Sequence, residues 1–101
     1  MTNTKQVATT ILKQLGGNKF IAMTGVYNLV CDKNMLAMKL RRNSSKCNYL
    51  RITLTPMDVY KMEFISIRGQ SVKVKFSFED IYSNQLQDIF IEVTGMYTKL
   101  Y

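Results

Sequence analysis

The 101 residues contain no histidine and only two cysteines, Cys31 and Cys47. Histidine is the commonest general base, the commonest metal ligand and the usual partner of a nucleophilic serine or cysteine. Its absence removes most familiar catalytic arrangements. Two cysteines outside a Cys-x-x-Cys pair do not build a typical zinc site on their own. Gly16-Gly17-Asn18-Lys19 has the glycines of a phosphate-binding loop in the reverse context, after a helical pattern and before a strand-like one. It reads as a helix stop. One acidic arrangement remains: Asp80, Asn84, Asp88 and Glu92 fall four apart, on one face of a predicted last helix. That spacing suits a divalent metal or a partner surface, including the basic face of a second copy in a homo-oligomer. A solvated helix face opposite an apolar stripe is the simpler reading. No pair of titratable groups has an identifiable partner, so the expectation is a binding protein rather than an enzyme, with no cofactor and no metal.

The cations offer more. Lys39, Arg41, Tyr49, Arg51, Thr53, Lys73 and Lys75 alternate with Leu36, Met38, Leu40, Leu50, Ile52, Leu54, Val72, Val74, Phe76 and Phe78. Side chains on a strand alternate between faces, so an inward apolar set puts the basic set together on the outer face. Arg42 and Lys46, from the polar loop Arg42-Asn43-Ser44-Ser45-Lys46, extend it. Cations neutralise phosphates and a tyrosine offers a stacking plane, so this face is a candidate site for nucleic acid, single-stranded by preference. Charged strand faces also block edge-to-edge pairing, and one tyrosine is fewer than an RNA-recognition sheet carries.

These side chains need an antiparallel sheet to gather them. Asn3 with Gln6 resembles a capping box, and Val7, Ala8, Ile11, Leu12 and Leu15 recur at helical spacing up to Gly16-Gly17. Phe20 to Val30 reads as a strand with a bend or bulge at Thr24-Gly25. Asp32-Lys33-Asn34 is a hairpin turn, followed by the alternating runs 36–41, 49–55 and 72–78. Val59 to Ile67 is a further strand with apolar residues on both faces, either a dimer edge or, as expected here, a strand buried on both sides. Ser77 with Asp80 looks like the N-cap of a second helix, buried through Ile81, Tyr82, Leu86, Ile89, Phe90 and Val93 and stopped by Gly95. Met96, Tyr97 and Leu100 form a tail that packs back. The predicted class is α+β: an N-terminal helix, an antiparallel sheet of four to five strands and a C-terminal helix, with the helices on one sheet face.

Composition sets the remaining bounds. The length is that of one domain. No apolar run approaches the roughly 20 residues of a membrane span, and the N-terminal segment is amphipathic rather than a leader. Cys31, after Leu29-Val30, reads as a buried apolar residue in a reducing compartment, so the expected location is cytoplasmic. Fourteen basic residues against seven acidic give a formal net charge of +7, unevenly spread. Residues 33–75 hold ten basic and two acidic residues, a net +8, whereas residues 76–101 carry a net −3. A molecule polarised in this way favours polyanionic partners.

Two stretches carry a resemblance. Leu15 through Gly25, and Leu86-Gln87-Asp88-Ile89-Phe90 with Glu92-Val93-Thr94-Gly95-Met96-Tyr97-Thr98, resemble small proteins encoded by phages, prophages and integrative elements of gut bacteria. The resemblance spans nearly the whole chain and brings no functional residue with it. It implies an accessory role of one of two kinds. The first is a nucleic-acid-binding helper. The second is an inhibitor of a host defence protein, of the anti-CRISPR type, that occupies a protein or ribonucleoprotein surface. A basic chain is no DNA mimic, so such an inhibitor would grip guide RNA or an acidic protein patch.

Overall fold

The computed structural model describes residues 4–41 and 45–95. Helix α1 (Thr4–Leu15) turns Val7, Ala8, Ile11 and Leu15 into the core; the cap expected at Asn3 lies outside the described residues. Gly16 (φ 127°) and Gly17 (φ 63°) end it in conformations that only glycine adopts without strain. The chain then enters a second helix, α2 (Gly17–Thr24), where the sequence led us to expect a strand. Phe20 and Thr24 are buried four residues apart, and the Thr24 hydroxyl donates to the Phe20 carbonyl at 2.6 Å. Thr24-Gly25 is therefore a helix end and not a bulge, with the Gly25 N–H donating to the Ile21 carbonyl at 2.9 Å.

Five strands follow in a simple meander: β1 (Tyr27–Asp32), β2 (Met35–Lys39), β3 (Tyr49–Leu54), β4 (Tyr60–Arg68) and β5 (Ser71–Ile81), each antiparallel to the last. The β1–β2 hairpin turns at Lys33-Asn34, as expected. The C-terminal helix begins later than its expected Ser77 cap. Ser77 and Phe78 pair with Glu63 and Met62 inside β5, and a 3-10 turn (Ser83–Gln85) separates that strand from α3 (Leu86–Thr94). Tyr82, assigned above to the buried stripe, is 62% exposed as a result. The tail from Met96 lies outside the described residues.

All three helices cover one face of the sheet. Leu36, Met38, Leu50, Ile52, Met62 and Phe64 from the strands join Ile11, Leu15, Phe20, Leu86 and Phe90 from the helices in one apolar cluster. Phe90 sits at its centre, its ring 4.9 Å from that of Phe20 and 6.4 Å from that of Phe64, so it touches α2 and the sheet together. The Gln87 side chain donates to the Leu15 carbonyl at 2.7 Å and fastens α3 to the end of α1. Cys47 is buried, with its Sγ directed at the Ser45 carbonyl at 3.8 Å, but Cys31 is exposed, contrary to expectation, because β1 is an edge strand. No helix among the described residues is long and apolar enough to cross a membrane.

Two consequences are measurable. Phe90→Ala should lower unfolding free energy by about 3–5 kcal/mol in chemical denaturation, because it empties a site where three elements meet. Burial also pushes the Tyr60 phenol above its ordinary value, more than a hydrogen bond with Gln14 lowers it. The folded state then holds this proton more tightly than the unfolded chain. Stability should be complete below about pH 10 and fall as pH rises beyond it. Melting temperature measured against pH should show that decline, less steeply for Tyr60→Phe.

Candidate nucleic-acid interface

The helix-free face is built from strand register. Residues paired across an antiparallel ladder lie on the same face. Following the pairs across all strands gives a transverse row: Tyr27, Lys39, Tyr49, Ile65 and Val74. The next row toward the β1–β2 hairpin is Val30, Ala37, Arg51, Glu63 and Ser77. Ala37 and Ile65 are buried although no helix covers them; in register they lie beside Arg51 and Tyr49, whose long side chains shield them. Burial of β4 on both faces is thereby borne out at Ile65, through its neighbours within the sheet.

Only part of the expected basic set meets on this face. Lys39, Tyr49, Arg51 and Thr53 do. Lys73 does not: Phe64 pairs with Phe76 but Ile65 pairs with Val74, so Lys75 is the extra residue of a β-bulge. The bulge reverses the phase of β5. Val72 and Val74, expected in the core, emerge on the open face at 65% and 44% exposure, while Lys73 opposes Ser66 on the helix side. Arg42 lies outside the described residues. Arg51 is on the face but committed: its Nε donates to Glu63 Oε1 at 2.9 Å. That bond, with the carboxylate's charge, holds the Arg51 guanidinium above its ordinary value.

The acidic set is also dispersed. Asp80 sits in an irregularity of β5 at φ 55°, Asn84 is in the 3-10 turn, and only Asp88 and Glu92 share a helix. The four-residue stripe predicted above does not form, because β5 continues through Ile81. Among the described residues no group of three or more Cys, Asp or Glu side chains gathers as a metal site.

The structure adds a residue the sequence reading missed. Tyr27 opens the row on β1, and Lys39 separates it from Tyr49. With strands about 4.8 Å apart, the two tyrosines stand about 10 Å apart. Together with Asn48 and Ile67, these three side chains line a hollow of about 200 Å3, smaller than the roughly 300 Å3 at which small-molecule pockets begin. It is a surface subsite. A separate hollow of about 290 Å3 between α1 and β1 is lined by Leu12, Leu29, Val30 and Leu36 among others, with no charged group.

Two clasps hold the β2–β3 loop beside this hollow. The Asn48 amide donates to the Ile67 carbonyl at 2.7 Å and accepts from the Ile67 N–H at 2.8 Å, so its side chain continues the ladder onto β4. Arg41 reaches the other way: its Nε donates to the Gly25 carbonyl at 3.0 Å, and its guanidinium lies 4.3 Å above the Tyr27 ring. Gly25 (φ 71°) leaves room for this, since a Cβ there would stand 3.1 Å from the Arg41 side chain.

Charge is separated along the strands. No carboxylate occurs in residues 39–50 or 64–78, the stretches that form the β2–β3 loop, the β4–β5 hairpin and the strands leading to them. Lys39, Arg41, Lys46, Arg68, Lys73 and Lys75 all belong to this end of the sheet. The opposite end is mixed, with Asp32, Lys33, Asp58, Lys61, Glu79 and Asp80, and Lys61 lies 3.8 Å from Glu79. The chain matches no family model, no curated protein and no solved structure.

Asn48→Ala should cost about 1–2 kcal/mol in denaturant unfolding, because it removes two hydrogen bonds to one backbone position. A midpoint unchanged from the parent would show that the loop is held by other contacts.

Proposed function

We propose that the chain binds single-stranded nucleic acid across the open face at the basic end of its sheet, as a non-catalytic accessory protein of a mobile element. One observation carries the reading: two tyrosines flank a lysine in a single row, at the end of the sheet that lacks carboxylates. Bases stack on tyrosine faces, each contact contributing about 1–3 kcal/mol, and Lys39 between them meets the linking phosphate. Arg41 and Lys46 at the margin add a field that draws a polyanion in. Arg51 contributes little to phosphate binding, since Glu63 already neutralises it.

A second reading draws on Val74, which ends the row at the β5 edge, and on Val72, which stands opposite Ile67 beyond it; both are exposed. A protein or ribonucleoprotein surface would use them, as an inhibitor of a host defence system would. The two readings separate by mutation: the uncharged Val72→Ser should weaken capture of a protein partner and leave oligonucleotide binding near the parent value.

For the preferred reading, fluorescence anisotropy with a single strand of about 12 nucleotides is the direct test. Lys39→Ala and Tyr49→Ala should each weaken binding about 5- to 100-fold, and Lys73→Ala, on the other face, less than about twofold. Affinity should fall steeply from about 50 to 200 mM salt. No anisotropy change at the lower salt would overturn the proposal.

A further inference from the structure

We infer that this site is blind to base identity: it takes a single strand of any sequence, by stacking and by phosphate contact. The inference rests on the reading above and narrows its ligand. Sequence is read when a side chain offers paired donors and acceptors to a base edge, most often Arg on guanine and Asn or Gln on adenine. The hollow has two side chains of that kind beside it, and the fold has engaged both. Asn48 spends its amide oxygen and its amide nitrogen on the Ile67 backbone, at 2.8 and 2.7 Å. Arg41 gives its Nε to the Gly25 carbonyl and lays its guanidinium plane over Tyr27. Arg51, one row away, is bonded to Glu63. What the row and its hollow present is two phenol rings, an ammonium group and the apolar surfaces of Ile67 and Val74.

Rings and methyl groups meet every base by its face, and an ammonium group is a point charge for a phosphate. Turning Asn48 toward a base would strip the N–H and C=O of Ile67 of their partners, and turning Arg41 would release the β2–β3 loop from α2. Base-edge recognition therefore competes with the contacts that shape the site. A duplex is excluded for a related reason, since its base faces are already stacked and out of reach of the tyrosines.

The test compares oligonucleotides of equal length, about 12 nucleotides, made of thymidine, of cytidine, of mixed sequence and of abasic sugar-phosphate, with a mixed-sequence duplex alongside. The three base-bearing strands should bind within about fivefold of one another, and the abasic strand and the duplex at least about tenfold more weakly. Tyr49→Phe should bind near the parent level and Tyr49→Leu should bind at the abasic level. A preference above about 30-fold for one base would overturn the inference and leave single-strand binding intact. An abasic strand that binds as well as the others would overturn it too, leaving phosphate contact alone. Failure of every strand to bind would remove the underlying reading with it.

Discussion

Hydrogen-bond register is the constraint from which the surface follows. In a five-stranded meander each ladder fixes which residue stands beside which, and a slip of one residue would send every side chain of a strand to the opposite face. Tyr27, Lys39 and Tyr49 share a row because β2 and β3 keep the phase set by the cluster beneath them and β1, exposed along its length, is placed by its pairing with β2. Leu36, Met38, Leu50 and Ile52 are fully or almost fully buried against the helices. Slipping β2 or β3 would expose that set to water, at roughly 1.5–3 kcal/mol for each side chain. The open face is therefore specified from below, by residues that never touch it.

Much of this was readable before any coordinates. Alternation in residues 36–41 and 49–55 placed Lys39, Tyr49 and Arg51 outward, because both strands are regular and one-sided. The α+β class and the helices on one face followed from the same periodicity. What was hidden lay where backbone irregularity breaks the period. Phe20-Ile21-Ala22-Met23 is short and apolar, a pattern shared by buried strands and helices. Thr24-Gly25 as a C-cap was the signal that would have assigned it to α2, set the start of β1 and so revealed Tyr27. On β5, the bulge at Lys75 inverts Val72, Lys73 and Val74, and no residue type in that stretch announces it. The acidic stripe failed for a similar reason: Glu79 and Asp80 look like a helix start, yet Ile81 is held by pairing with Tyr60.

Bulges on both edge strands have a second effect. An unprotected edge invites pairing with another chain. β1 is irregular between Tyr27 and Val30, where Asn28 takes φ 51°, and β5 is irregular at Lys75 and again near Asp80, itself at φ 55°. Lys73 and Lys75 add charge to the longer edge. The sequence asymmetry of charge thus falls into two separate places: cations on β5 lie along an edge, while those beside the tyrosines belong to the surface proposed for a polyanion. Counting both as one basic face, as alternation alone does, merges two separate features.

The central claim is spatial, and its most direct measurement is a map of where a strand lies. Titrating a short single strand into isotope-labelled protein and following backbone amide resonances would give that map. The account requires the shifts to gather at Tyr27, Lys39, Asn48, Tyr49, Ile65 and Val74, with the helices unmoved. Shifts gathered instead around Lys73, Asp88 and Glu92 on the helix side would contradict it.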